Sequence, residues 1–73
     1  MKIPVLYQRI DEKNFEGYFY AYVPQWGITT HGYGIDGART AIEDLIKLWI
    51  SEKEDHGESI DLIEEAVLEY SEI

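Results

Sequence analysis

The stretch GYFYAYVPQWGITTHGYG, residues 17–34, determines the fold that this sequence predicts. Residues 18–23 and 28–33 consist largely of aromatic and β-branched side chains, which fit a pleated surface and favour strands. Pro24 has no N–H to donate to a strand ladder, so the first of these strands ends before it. The four residues PQWG, 24–27, are therefore predicted to form a turn between two antiparallel strands.

A further strand is predicted upstream, at residues 2–10, where apolar side chains are mixed with few helix formers. Its apolar side chains are Ile3, Val5, Leu6, Tyr7 and Ile10. The polar segment DEKNFEG, residues 11–17, contains Asn14 and ends in Gly17, which is typical of a hairpin connection. Three antiparallel strands with short connections are thus expected before residue 34.

Downstream of the strands, apolar residues recur at spacings of three and four, which indicates one face of an amphipathic helix. Trp49 is predicted to be a core residue of this stripe, which comprises Ile35, Ala38, Ile42, Leu45, Ile46 and Trp49. Gly34 is predicted to be the N-cap, and Gly57 the stop signal after the polar segment 51–58. Gly37 in the first turn is expected to cost roughly 1 kcal/mol relative to Ala.

The tail SIDLIEEAVLEYSEI, residues 59–73, is compatible with two structures. A helix would place Ile60, Ile63, Val67 and Tyr70 on one face, and a short strand would use Val67, Leu68, Tyr70 and Ile73. Periodicity does not decide between them. The elements therefore predict a two-layer α+β domain, residues 1–73, with the order β-β-β-α and one further element after the helix.

Alternate residues of a strand point to opposite sides of a sheet, so Phe19, Ala21 and Val23 are expected to face the helix. The tyrosines between them would then point away, together with two residues of the next strand. Such density of tyrosine is typical of a partner site. The predicted interface residues are Tyr18, Tyr20, Tyr22, Trp26, His31 and Tyr33.

Alternatives to this interface remain open at the level of sequence. The tail could cover the tyrosines, or the opposite register could place them in the core. Trp26 lies in the predicted turn, where a large aromatic side chain is either an anchor for a partner or a lid on the core.

The chain is strongly acidic, with 15 Asp and Glu residues against six Lys and Arg, which gives a net charge of −9. This charge repels nucleic-acid phosphates and attracts basic partners, although it also serves solubility alone. There are no cysteines, and we find neither a secretory pattern nor an apolar run of about 20 residues. A soluble cytoplasmic protein without membrane partners is expected.

Residues that could carry chemistry do not form a recognisable catalytic or cofactor site. His56 lies in DHGE, residues 55–58, but a metal site needs three or four converging ligands. Gly32, Gly34 and Gly37 match GxGxxG only after an antiparallel strand, without the parallel crossover that the nucleotide motif requires. No catalytic, cofactor-binding or metal-ligating residues are therefore expected, and the chain is interpreted as a binding protein rather than an enzyme.

Several short motifs, in contrast, match a known family. A Gly-aromatic-Ala strand ends in Pro, a turn with Gly and a Thr-x-Gly stretch follow, and the helix ends in Leu-Trp. The matching residues are Gly17, Ala21, Tyr22, Val23, Pro24, Gly27, Thr30, Gly32, Ala38, Asp44, Ile46, Leu48 and Trp49. With these residues the chain resembles the HicB-like antitoxin family, and HGESI (56–60) and the final YSEI resemble its later segments.

The resemblance implies a partial RNase H-like fold with the order β-β-β-α-β, in which residues 66–73 form a last strand. It implies a three- to four-stranded antiparallel sheet covered on one face by the helix. Such antitoxins bind a small basic ribonuclease toxin and cover its catalytic surface, and they form dimers or higher oligomers. The C-terminal DNA-binding domain of many members has no counterpart in this sequence, so direct DNA binding is not expected. The alternative is a stand-alone homo-oligomeric domain of structural or regulatory role without a toxin partner.

Overall fold

The structure, a computed structural model, describes residues 2–58, 67 and 69–72. Its elements are β1 (Leu6–Arg9), β2 (Tyr18–Val23), β3 (Ile28–Tyr33) and α1 (Gly34–Asp55). The strands form an antiparallel sheet in the order β1-β2-β3, and α1 packs against β2 and β3. These elements confirm the predicted α+β fold, a sheet covered on one face by one helix.

The bounds of β2, β3 and the turn between them agree with the prediction, whereas β1 is shorter than residues 2–10. Proline cannot donate to a ladder, so regular pairing begins only after Pro4. At its other end, the N–H of Ile10 donates to the carbonyl of Tyr18 at 3.0 Å. In the β2–β3 turn, the N–H groups of Trp26 and Gly27 donate to the carbonyl of Val23 at 3.3 and 2.9 Å.

The core lies between the inner side of the sheet and α1. Its fully buried side chains are Ala21, Val23, Ala38 and Ile42. Ile28, Leu45 and Ile46 are partly buried against this cluster. The alternation predicted for β2 is therefore present, with Ala21 and Val23 facing the helix.

Trp49 does not lie in the centre of this core, which corrects the prediction. Its side chain is only partly buried, and its ring lies 5.8 Å from that of Trp26 at the turn. The helix has 22 residues and β3 has six. At 1.5 Å per helical residue and roughly 3.4 Å per strand residue, the helix extends beyond the sheet. Trp49 therefore lies on Trp26, which itself packs against the core cluster.

α1 approaches the sheet closely at two glycines. A Cβ atom on Gly32 would lie 2.4 Å from the carbonyl carbon of Gly37 and 2.6 Å from the amide nitrogen of Ala38. A Cβ atom on Gly37 would lie 3.5 Å from the carbonyl carbon of Gly32, an ordinary contact. The absence of a side chain at Gly32 thus determines how near the helix backbone can come to β3.

Glycines also define the two ends of α1. Gly34 has φ +67°, and its N–H donates to the carbonyl of Gly17 at 2.7 Å. The helix begins at Gly34, so Tyr33 rather than Gly34 occupies the N-cap position, which corrects that prediction by one residue. Gly57 has φ +66° and its N–H donates to the carbonyl of Glu54, which confirms the predicted stop signal.

Of the predicted last strand, residues 66–73, the structure describes residues 67 and 69–72. Its described members are in no strand, and Val67 and Tyr70 are 81% and 88% exposed. The choice between helix and strand for residues 59–66 falls outside the described part. Within the described ranges, no helix combines the length and apolarity needed to cross a bilayer.

We expect Gly32→Ala to lower the free energy of unfolding by about 1–3 kcal/mol, because its methyl group would overlap backbone atoms that cannot rotate away. Gly37→Ala is the matched control. It is expected to raise the free energy of unfolding by up to about 1 kcal/mol, since Ala favours the helix and has room. Urea unfolding followed by circular dichroism measures both variants. Equal stability of Gly32→Ala and the parent chain would refute the close-approach argument.

Candidate protein-interaction surface

The side of the sheet that faces away from α1 carries a continuous group of ring side chains. We call it the aromatic face. Antiparallel pairing places Tyr18 opposite Tyr33, and Tyr20 opposite His31. Phe15, from the connection between β1 and β2, adds a sixth ring. The aromatic face comprises Phe15, Tyr18, Tyr20, Tyr22, His31 and Tyr33.

The rings at one end of the aromatic face are packed edge to face. Tyr18 and Tyr33 have centroids 5.4 Å apart at an interplanar angle of 80°, and Phe15 and Tyr18 are 5.8 Å apart at 84°. Phe15 also meets the ring of His31 at 6.4 Å. Edge-to-face contacts stabilise ring pairs beyond their buried area. This end is therefore held in a fixed arrangement without a partner.

At the other end, Tyr20 and Tyr22 border a shallow cleft of about 230 Å³. Leu6 and Gln8 of β1 line one side of this cleft, and Thr29 of β3 lines the other. Tyr20 and Tyr22 are 38% and 36% exposed, while Ala21 between them is fully buried. The two tyrosines thus present ring surface to solvent although the strand that carries them is anchored in the core.

Charged residues lie in the connection at one end of the aromatic face but are absent from its centre. Alternation places Leu6, Gln8 and Thr29 beside the tyrosines, and none of the outward-pointing residues of the described strands is Asp, Glu, Lys or Arg. The connection that supplies Phe15 contains Asp11, Glu12, Lys13 and Glu16, all exposed. An aromatic centre without charged side chains and a polar margin is typical of a protein interface.

Five of the six predicted interface residues lie on the aromatic face. The alternative register, with the tyrosines in the core, is excluded by the burial of Ala21 and Val23. Trp26 lies elsewhere: it packs against the core cluster on the helix side and contacts Trp49, as expected for a lid. The alternative in which the tail covers the face concerns residues largely outside the described part.

Sequence reasoning missed Phe15 and Leu6. Phe15 stands in a polar connection, where no strand period assigns it to a side. Its position depends on a turn in which its N–H donates to the carbonyl of Glu12 and its carbonyl accepts from Tyr18. Leu6 could have been assigned from its pairing with Tyr22, but only once the register of β1 was known.

His56, which the sequence analysis considered as a metal ligand, contacts the backbone at the end of α1. Nδ1 of His56 lies 2.8 Å from the carbonyl oxygen of Glu52 at the end of α1. Nearby, the Lys53 ammonium donates a hydrogen bond to Glu58 at 2.5 Å, and this bond lowers the pKa of the Glu58 carboxyl. Over the described residues, no three His, Asp or Glu side chains converge as metal ligands would.

Comparisons of the chain with protein-family models, with curated proteins and with solved structures find no significant match. Inference about function therefore starts from the physical features of the surface. Two of these are prominent: a sheet face rich in tyrosine that the described residues leave open, and a net charge of −9.

Neighbouring residues of β2 provide a test of which side is the core. We expect Val23→Ala to lower the free energy of unfolding by about 1.5–3 kcal/mol, because Val23 is fully buried. Tyr22→Thr, which replaces one residue of high strand propensity by another on the open side, is expected to change the free energy of unfolding by less than about 1 kcal/mol. Guanidinium unfolding of both variants measures the difference. A larger loss for Tyr22→Thr than for Val23→Ala would contradict the assignment.

Proposed function

We propose that this chain is a small acidic binding protein that uses the aromatic face to dock a basic protein. The observation that carries the proposal is the group of tyrosines on a sheet face left uncovered by α1. Tyrosine supplies large, rigid contact area while its hydroxyl remains compatible with water in the free protein. A surface of this composition is suited to alternate between a solvated and a bound state.

Charge supports a basic partner. A net charge of −9 accelerates the approach of a positively charged protein and disfavours acidic competitors. The carboxylates next to Phe15 stand at the margin of the aromatic face, where interface charges remain solvated and orient the partner. The neutral centre then provides the contact area that holds the complex together.

The partner that we propose is a small basic ribonuclease toxin, and the chain would act as its antitoxin. The resemblance of residues 17–50 to HicB-like antitoxins supports this choice, as does the β-β-β-α order, which agrees with the first four elements of that fold. In such a complex the chain would inhibit by covering the catalytic surface of the toxin. It would contribute no catalytic residue of its own.

Co-expression with a small basic ribonuclease encoded beside this chain tests the proposal. We expect the parent chain to restore growth and to co-purify with the ribonuclease, and Tyr20→Ser with Tyr22→Ser to abolish both. Each truncation at the centre of an interface is expected to weaken binding by about 2 kcal/mol, roughly 30-fold. Leu48→Ser is the matched control, because Leu48 is 57% exposed on α1, away from the aromatic face. Equal loss of binding in the control, or no complex with the parent chain, would contradict the proposal.

One feature favours a second candidate function, self-association as a homo-oligomeric domain. Among the described strands, β3 is an edge strand of six residues, ITTHGY, without Pro or a charged side chain. The Ile10–Tyr18 hydrogen bond shows that the backbone N–H and C=O groups of Tyr18, and of every second residue after it in β2, point toward β1. The residues between them bond to β3. The backbone groups of Thr29, His31 and Tyr33 therefore point toward the edge of β3 that no described strand covers. Unprotected edges of this kind pair with further strands.

Sedimentation equilibrium tests this second candidate. If two copies pair through β3, the parent chain should sediment as a dimer and Thr29→Pro as a folded monomer, because proline removes a donor from the open edge only. Thr29→Ser, which retains the N–H, should remain dimeric. A parent chain that is monomeric at its highest soluble concentration would rule out self-association.

A further inference from the structure

In two other clefts of this protein, an aromatic ring lies beside a basic side chain of the same chain. In the groove between α1 and β1, the guanidinium of Arg39 lies 6.0 Å from the ring centroid of Tyr7. At the end of α1, the ammonium of Lys53 lies 4.6 Å from the ring centroid of Trp49, in a cleft that both residues line. A cation above a ring is stabilised by the negative face of the π-system.

The cleft on the aromatic face is lined by tyrosine rings but by no basic side chain of the described residues. Tyr20 and Tyr22 border it, and its remaining lining residues, Leu6, Gln8 and Thr29, include no basic side chain. The nearest basic residue along β1 is Arg9, which alternation places on the other side of the sheet from Gln8. Within the described part of the chain, this cleft therefore offers tyrosine rings to a cation that another molecule must supply.

We propose that the Tyr20–Tyr22 cleft binds an arginine side chain of the basic partner, an inference that rests on the proposed function. A guanidinium can lie flat on a phenol ring and at the same time donate hydrogen bonds in its own plane. The acceptors at the border of the cleft are the two phenol hydroxyls, the Gln8 amide oxygen and the Thr29 hydroxyl. The methylene stem of arginine fits the apolar wall that Leu6 provides.

Charge and geometry favour arginine over other side chains at this cleft. The net charge of −9 disfavours a carboxylate. An aliphatic side chain would fit the walls but would leave the acceptors without donors. Lysine is a more strongly hydrated point charge and cannot stack, so it matches two adjacent rings less well than the planar guanidinium does. Arginine is also among the residues that most often dominate the binding energy of interfaces.

A titration of the full chain with N-acetyl-arginine methylamide, followed by two-dimensional NMR, tests the proposal without the partner. We expect saturable shifts of the Tyr20, Tyr22 and Gln8 signals that weaken as salt is added. The citrulline analogue, which has nearly the same shape but no charge, should bind about two- to fivefold more weakly, as the loss of an exposed cation–π contact predicts. Equal or tighter binding of the citrulline or leucine analogue would overturn the proposal, as would shifts that do not saturate.

Replacing single tyrosines by leucine tests whether arginine binds in the Tyr20–Tyr22 cleft. Tyr20→Leu and Tyr22→Leu should each weaken arginine binding, while Tyr33→Leu, the same change on the same face but outside the cleft, should leave it unchanged. Spectra of each variant without ligand establish that it is folded. If Tyr33→Leu weakens binding as much as the cleft variants do, the probe binds the aromatic face without selecting the cleft, and the proposal is wrong.

This experiment separates the proposal from the function on which it rests. If the probe fails while the Tyr20 and Tyr22 variants still lose the ribonuclease, the aromatic face docks its partner without an arginine in the cleft, and only the present proposal is overturned. If the probe binds as expected but no ribonuclease complex forms, the cleft is a guanidinium site and the proposed antitoxin function is overturned.

Discussion

The close approach of α1 to β3 at Gly32 is the constraint on which the rest of the structure depends. Backbone atoms of Gly37 and Ala38 occupy the space that any side chain at Gly32 would need. Contact at this distance allows a core whose fully buried members include two alanines, Ala21 and Ala38, together with larger aliphatic side chains. Helix and sheet can therefore exclude water from between them although few large side chains are available.

A single helix can cover only one side of a sheet, and this limit leaves the aromatic face open among the described residues. The inner side of β2 buries Ala21 and Val23 completely beneath α1, while Phe19 at the start of the strand is only partly buried against the core. The three tyrosines of the same strand are directed outward by strict alternation. Fold and candidate interface thus have one cause: the inner side of β2 has room for Ala21 and not for a tyrosine.

The sequence predicts most of this arrangement, since β2, the turn and β3 are defined by strong local signals. The period of β2 also assigns Tyr20 and Tyr22 to the open side, because Ala21 and Val23 provide the contrast in size. Roles that depend on tertiary distances could not be predicted as well from the sequence. The sequence assigns Gly37 only a cost in helix propensity, because it does not show that Gly32 of β3 lies next to it. Trp49 belongs to an apolar stripe of α1 that is longer than the sheet beneath it. The ring of Phe15 follows from the path of a turn, which periodicity does not describe.

The distribution of charge connects the fold to the function that we propose. Arg39 and Lys53 lie on rings of the same chain and also pair with Asp36 and Glu58. These two basic side chains of α1 are thereby held by neighbours in their own chain. The outward side of the strands keeps its tyrosines without any cation, while carboxylates dominate the overall charge. A positively charged molecule would be attracted by the whole chain, and on the aromatic face it would find tyrosine rings that no basic side chain of the described strands occupies. Long-range attraction and short-range recognition would therefore direct a basic partner to the same surface, and this convergence follows from the one-sided covering of a three-stranded sheet.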